Sequence, residues 1–173
     1  SGYVLDGTVE PLFDSFKSIV ISEENQGTKV NYVPRQFEEM AWGQTKKQIL
    51  ETEGRPSDQD KRKGLDIMRY QQRLINLDCN IEYIFSANKL VQTKFSFLDS
   101  SLDKNACLED YQVIKGALIQ KFGRPLEENM NWRDSTYKED FSNWGEAVRL
   151  GHLALSSRWQ TSQTEILASL SGN

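Results

Sequence analysis

The sequence predicts an α+β fold: two helix-plus-antiparallel-hairpin units forming one sheet packed by helices. Three observations lead there. The tripeptide Gly-Arg-Pro occurs twice, at Gly54-Arg55-Pro56 and Gly123-Arg124-Pro125, each time at the end of a helical segment. In each copy an apolar and aromatic strand pair follows. A chain of 173 residues also suits one domain made of two half-domains that share a core. The expected organisation is an N-terminal extension over 1–36, a first unit over 37–103 and a second over 104–173.

The extension carries Leu12, Phe13, Phe16, Ile19 and Val20 at helical spacing, although Ser18-Ile19-Val20-Ile21 is β-branched and reads equally as a strand. Glu23 to Gly27 is a polar turn, and the segment is expected to pack on the units. Phe37 to Trp42 is a short apolar lead-in broken by Gly43. Thr45-Lys46-Lys47-Gln48 then has the pattern of a capping box, so a helix is predicted over about 45–53. Its apolar content, Ile49 and Leu50, is thin, and it needs tertiary support.

Three strands follow. Leu65 to Gln72 is the first. In the second, Ile75, Leu77, Cys79, Ile81, Tyr83 and Phe85 alternate with Asn76, Asp78, Asn80 and Glu82, one face buried and one wet. After a turn at Ser86 to Lys89, Val91, Phe95 and Phe97 carry the apolar face back, with Gln92 and Lys94 on the other side. A polar link from Asp99 to Asn105 leads into the second helix, whose Leu108, Tyr111, Ile114, Leu118 and Phe122 form one stripe. Gly123 ends it and Pro125 blocks its continuation. Burying Tyr111, Leu118 and Phe122 contributes on the order of 1.5–3 kcal/mol each.

Leu126 to Asn143 reads as a long connection containing Trp132, with Trp144 just beyond. Ala147 to Trp159 and Thr164 to Leu170 read as a second hairpin. Aligning the two Gly-Arg-Pro sites sets Tyr83 and the Ser86-Ala87-Asn88 turn against Trp159 and the Thr161-Ser162-Gln163 turn, which suggests a duplicated unit. One such unit buries too little apolar area alone, whereas two side by side share a sheet and a helix layer.

Net charge is −4, so no nucleic-acid footprint is expected. Lys61-Arg62-Lys63, after Asp58 and Asp60, reads as a solvated turn in preference to a phosphate site. No run of about 18 apolar residues exists, so no transmembrane helix is predicted. The chain starts at Ser1-Gly2 with no Met and no apolar leader, as expected of a mature or trimmed form in which a removed signal or lipid-bearing segment leaves no trace. Cys79 and Cys107 lack metal or redox spacing. A disulfide between them and a buried free thiol at Cys79 both stay open, the free thiol being the plainer reading.

No catalytic, cofactor-binding or metal-ligating residues are predicted, and no cofactor is expected. His152 is the only histidine, and Ser156 and Ser157 beside it lack a nucleophile elbow. On an alternating strand it shares a face with Leu150 and Ala154, as a structural or surface histidine. The acid pairs Glu23-Glu24, Glu38-Glu39 and Glu127-Glu128 read as solvated, since a glycosidase pair needs a separation that sequence does not supply. Trp132 and Trp144 read as covers for the core edge, the alternative being anchors for a partner.

Met40-Ala41-Trp42-Gly43-Gln44-Thr45 leading to Glu53-Gly54-Arg55-Pro56, the strand end Ile81-Glu82-Tyr83-Ile84-Phe85, and Phe122-Gly123-Arg124-Pro125 followed by Trp159 to Ile166 resemble small exported bacterial proteins built from helix-and-hairpin units. Over about 37–171 the pattern is similar to the outer-membrane assembly lipoproteins of the SmpA/OmlA type and to the tandem-repeat β-lactamase inhibitory protein. The resemblance implies a non-enzymatic, periplasmic, outer-membrane-associated or secreted role, another envelope or secreted protein as partner, and peripheral anchoring through a removed N-terminal segment. No site residue transfers with it, and the lipid-attachment cysteine expected of such lipoproteins is not among these residues, as trimming would explain.

The leading expectation is therefore a non-catalytic envelope or secreted protein-binding module, with the wet face of Asn76, Asp78, Asn80, Glu82, Gln92 and Lys94 as candidate contact. The alternative is a small ligand-binding or hydrolytic domain, cytoplasmic if no leader exists, with a pocket between the units near Trp132, Trp144 and His152. A third is an inhibitor that presents its sheet to a secreted enzyme.

Overall fold

Three consecutive two-residue turns shape the first unit. The structure, a computed structural model, describes residues 2–4, 16–21, 42–98, 101–161 and 165–172, with side chains from residue 42 onward. Two N-terminal strands, β1 (Gly2–Val4) and β2 (Phe16–Ile21), precede helix α1 (Lys46–Glu53) and strands β3 (Asp58–Arg62), β4 (Leu65–Leu74), β5 (Leu77–Ser86) and β6 (Lys89–Leu98). The β3–β6 turns are Lys63-Gly64, Ile75-Asn76 and Ala87-Asn88, and all six residues have positive φ. That geometry matches the right-handed twist of the flanking strands and closes tight hairpins. Ile75, expected in the strand, is in the turn at φ 48°.

Helix α1 starts as the spacing predicts: Thr45 and Gln48 form both halves of the capping box. Helix α2 (Ala106–Phe122) buries Leu108, Tyr111, Ile114 and Leu118 of the predicted stripe, together with Cys107 and Ala117, while Phe122, the fifth member, is half-buried against the core. Beyond it come β7 (Glu127–Trp132), a short helix α3 (Trp144–Arg149), β8 (Leu153–Gln160) and β9 (Glu165–Ser171). Two expectations are corrected here. The long connection contains strand β7, and residues 147–149, expected in a strand, belong to α3. Asn105 stitches α3 to the start of α2: its Oδ1 accepts from the Gly145 N–H at 2.9 Å and its Nδ2 donates to the Ser142 carbonyl at 3.0 Å.

The fold is α+β. The units contribute a four-strand and a three-strand antiparallel sheet, β3-β4-β5-β6 and β7-β8-β9, with no direct pairing between them, where one sheet made of their own strands was expected. Between them is β2, antiparallel to both β6 and β9, with Ser18 opposite Ser96 on one side and Ser169 on the other. Local alternation marks strands without naming their neighbours, so the non-local β2 was not anticipated in that place. The expected turn at 23–27, the lead-in over 37–41 and residues 162–163 of the expected Thr161-Ser162-Gln163 turn fall outside the described residues.

The helices cover one face. Ile49 of α1, the α2 stripe and Ala147 and Val148 of α3 join Met68, Tyr70, Cys79, Ile81, Phe85, Phe95, Phe97, Trp159 and Ile166 in one continuous core. A bulge between Ile84 and Phe85 sets Phe85 opposite Leu90. The extra residue reverses the side-chain alternation, so Leu90 is buried and Val91, expected inside, is 47% exposed. Both cysteines are buried free thiols.

The two Gly-Arg-Pro joints share their contacts. Gly54 and Gly123 each have φ 79°, and each donates its N–H back into the preceding helix, to the Leu50 and Ile119 carbonyls. Tyr70 Oη donates to the Gly54 carbonyl at 3.0 Å, and Trp159 Nε1 to the Gly123 carbonyl at 2.9 Å. The N–H three residues after each Gly donates to an arginine carbonyl: Ser57 to Arg69 and Leu126 to Arg158. Tyr70 thus makes at the first joint the contact that Trp159 makes at the second.

Candidate functional site

The face of the strands opposite the helices follows from the two-residue period of β5. With Cys79, Ile81, Tyr83 and Phe85 in the core, Asp78, Asn80, Glu82 and Ile84 point away from it. Antiparallel register extends the pattern across strands. Asp58, Arg69, Glu82 and Lys94 stand opposite one another on β3 through β6, and Arg158 stands opposite Glu127 at the far side. The neighbouring row is neutral: Gln71, Asn80 and Ser96 in the first sheet, Ser169, Ser156 and Asn129 in the second. Among the described residues no helix packs on this face.

The charged row is locked by its own contacts. Arg69 Nε donates to Glu82 at 2.6 Å and Arg69 Nη1 to Asp58 at 2.5 Å, while Lys94 Nζ lies 4.0 Å from Glu82. In the second unit Arg158 binds Glu127 at 2.5 Å and Glu165 at 3.4 Å. The Arg62 guanidinium holds the Asp60 carboxyl below the usual carboxylate range, and Arg158 does the same for Glu127. The Glu82 bond raises Arg69 further above its ordinary value. The Lys94, Glu82 and Arg69 side chains keep 14%, 22% and 24% exposure, so they present charge while losing little further freedom on contact. Ile67 and Ile84, opposite one another on the same face, are packed down between these chains to 9% exposure each.

Of the six residues expected on the wet face, Asp78, Asn80, Glu82, Gln92 and Lys94 are there. Asn76 is in a turn at φ 63°, where its carbonyl accepts from Arg73 Nη2 at 3.1 Å. Arg69 and Asp58, the strongest members of the row, were missed. A period-two reading of β4 does put Arg69 opposite Met68 and Tyr70, and that signal was present in the sequence.

The aromatic group near His152 is built differently from the expectation. Trp132 and Trp144 meet edge to face at 5.5 Å between ring centroids, Phe141 lies 4.9 Å from Trp144, and Tyr137 stacks on His152 at 6.1 Å. Trp144 Nε1 donates to the Lys138 carbonyl at 3.1 Å. His152 follows α3 in a turn, its N–H donating to the Ala147 carbonyl, and is not on a strand face. Its Nδ1 is buried without a partner among the described residues. Trp132 is on β7, the outer edge of the second sheet, so this group closes the far end of that unit and lies away from where the two units meet.

One buried polar pair was not foreseen. Tyr111 Oη and Ser157 Oγ lie 2.9 Å apart in the core. Burial pushes the Tyr111 hydroxyl up to about 12, against the opposing pull of the Ser157 bond. At 3% and 1% exposure the two are out of reach of a substrate and act as a structural tie between α2 and β8.

No protein-family model, curated protein or solved structure matches this chain.

Proposed function

We propose that this protein is a non-catalytic binding module whose contact surface is the open sheet face, and that its partner is another exported protein of the envelope or the secreted fraction. The observation that carries the reading is the half-buried row of Arg69, Glu82 and Lys94, flanked by the exposed Asp58 that pairs with Arg69 and ordered before any partner arrives. A fixed pattern of charge selects a partner more than it adds raw affinity. The neutral row beside it, Gln71, Asn80 and Ser96, offers hydrogen-bonding groups on the same plane. Export is supported by the helix-and-hairpin resemblance alone, which is an argument by analogy.

We also propose that the two units are copies of one ancestral helix, Gly-Arg-Pro joint and hairpin. The matched contacts of Gly54 with Tyr70 and Gly123 with Trp159 support this, as do Asp58–Arg69 and Glu127–Arg158, pairs that each begin four residues after the Gly.

The test is capture of exported proteins from the source cells by wild type and by two variants. Asn80→Arg places bulk in the neutral row without touching the ion pairs, and Glu109→Arg alters the exposed side of α2. Loss of the captured partner with Asn80→Arg and retention with Glu109→Arg is expected. Equal capture by both variants removes the open face from consideration.

A further inference from the structure

We propose that the end of the first sheet where α1 begins docks on an anionic lipid surface through the phosphate headgroups. Three separate stretches of chain bring lysines together there. The first turn of α1 carries Lys46 and Lys47, the β3–β4 hairpin carries Lys61, Arg62 and Lys63, and β6 opens with Lys89. Their juxtaposition is fixed by contacts. Thr45 bridges Lys89, and the Lys46 N–H donates to Asn88 Oδ1 at 3.4 Å. Lys46 Nζ and Lys61 Nζ reach the two oxygens of the single carboxylate Asp66 at 2.8 and 3.8 Å.

The local charge is strongly positive on a chain of net charge −4. Arg62 is paired with Asp60, Lys47 is 3.6 Å from Glu51, and Lys46 and Lys61 share Asp66. Lys63 and Lys89 are exposed and have no carboxylate partner among the described residues. Six cations against three carboxylates leave an excess of three. Helix α1 has no acidic residue in its first turn, so Lys46 and Lys47 face the positive end of the helix dipole, a repulsion that an external anion relieves.

The shape favours a surface over a pocket or a groove. This end consists of two hairpin turns and a helix start, with Val91 pushed outward by the bulge next to Lys89 and Leu90. Cations around a shallow aliphatic contact suit a headgroup layer. A single-stranded nucleic acid would use exposed rings for stacking, and Trp42 beside this end is half-buried against the core. The docking end is separate from the open face, and either stands without the other.

The test is co-sedimentation with vesicles of equal parts phosphatidylglycerol and phosphatidylcholine, and with phosphatidylcholine alone. Wild type is expected to bind only the anionic vesicles and to be released by salt. Lys61→Gln, Lys63→Asn and Lys89→Gln combined should lower the partition coefficient about tenfold or more with an unchanged thermal midpoint. If the triple variant folds poorly, Lys89→Gln alone should lower it about threefold. Absence of binding by wild type, equal binding by the variants, or retention on polyglutamate without vesicle binding would each overturn the proposal, the last assigning this end to an acidic protein.

Discussion

Replacing Trp159 by Phe probes the second Gly-Arg-Pro joint at its most buried point. Trp159 is 2% exposed, and its Nε1 is the donor to the Gly123 carbonyl at 2.9 Å. The substitution removes that donor and leaves a void where the second ring lay. The lost hydrogen bond costs about 1 kcal/mol when water replaces it and up to about 3 kcal/mol when the acceptor stays unsatisfied. Gly123 is half-buried, so its carbonyl recovers water only in part. The void adds roughly 1 kcal/mol at about 24 cal/mol per Å³. Trp159→Phe should therefore cost about 2–4 kcal/mol. Tyr70→Phe removes the equivalent donor from Gly54, which is exposed and readily rehydrated, and should cost about 0.5–1.5 kcal/mol. Urea unfolding of both variants at an unchanged m-value measures the difference. Equal costs, or a larger cost for Tyr70→Phe, would refute the claim that burial of the accepted carbonyl sets the strength of each joint.

The Tyr111–Ser157 tie gives a double-mutant cycle: Tyr111→Phe and Ser157→Ala each leave a buried partner and should cost about 1–3 kcal/mol, while the double variant costs clearly less than their sum. The Tyr111 hydroxyl is raised to about 12 in the folded state, so its share of the stability is intact below about pH 10 and is lost as pH rises towards 12. Tyr111→Phe should flatten the stability profile in that window. Ala87 has φ 47° in an exposed turn, and Ala87→Gly should stabilise by about 0.5–1 kcal/mol in thermal unfolding. A Cβ at Gly145 would sit 1.7 Å from the Lys104 carbonyl oxygen, so Gly145→Ala should cost about 2–3 kcal/mol or prevent α3 from docking, seen as loss of near-ultraviolet tryptophan signal.

The parts of this fold that were legible in the sequence are those where burial imposes a period. Cys79, Ile81, Tyr83 and Phe85 alternate because one face of β5 meets the core, and Leu108 to Leu118 repeat at helical spacing because one side of α2 meets it. Edge strands carry no such imprint. β3 reads Asp-Gln-Asp-Lys-Arg and is almost wholly exposed, and β7 buries nothing completely, so both passed for loops. Charged, short edge strands also protect a sheet from pairing with other chains, which is reason enough for their composition. Helix α3 was hidden because Ala147, Val148, Leu150, Leu153 and Leu155 read as one mostly apolar run, broken by Arg149, Gly151 and His152. The open face was half legible. Its β5 and β6 members followed from parity, and Arg69 follows from the parity of β4, whereas Asp58 required the β3–β4 register and the place of β2 required a pairing across more than 70 residues.

The open face as contact surface is tested most directly by a photo-activated cross-linker placed at Asn80, with a second protein carrying it at Glu109 on the outer side of α2. Irradiation in the cell envelope, followed by mass spectrometry, should give a discrete adduct with one exported protein from Asn80 and none from Glu109. An adduct from Glu109 alone, or the same products from both positions, would contradict the account and move the contact to the helical side.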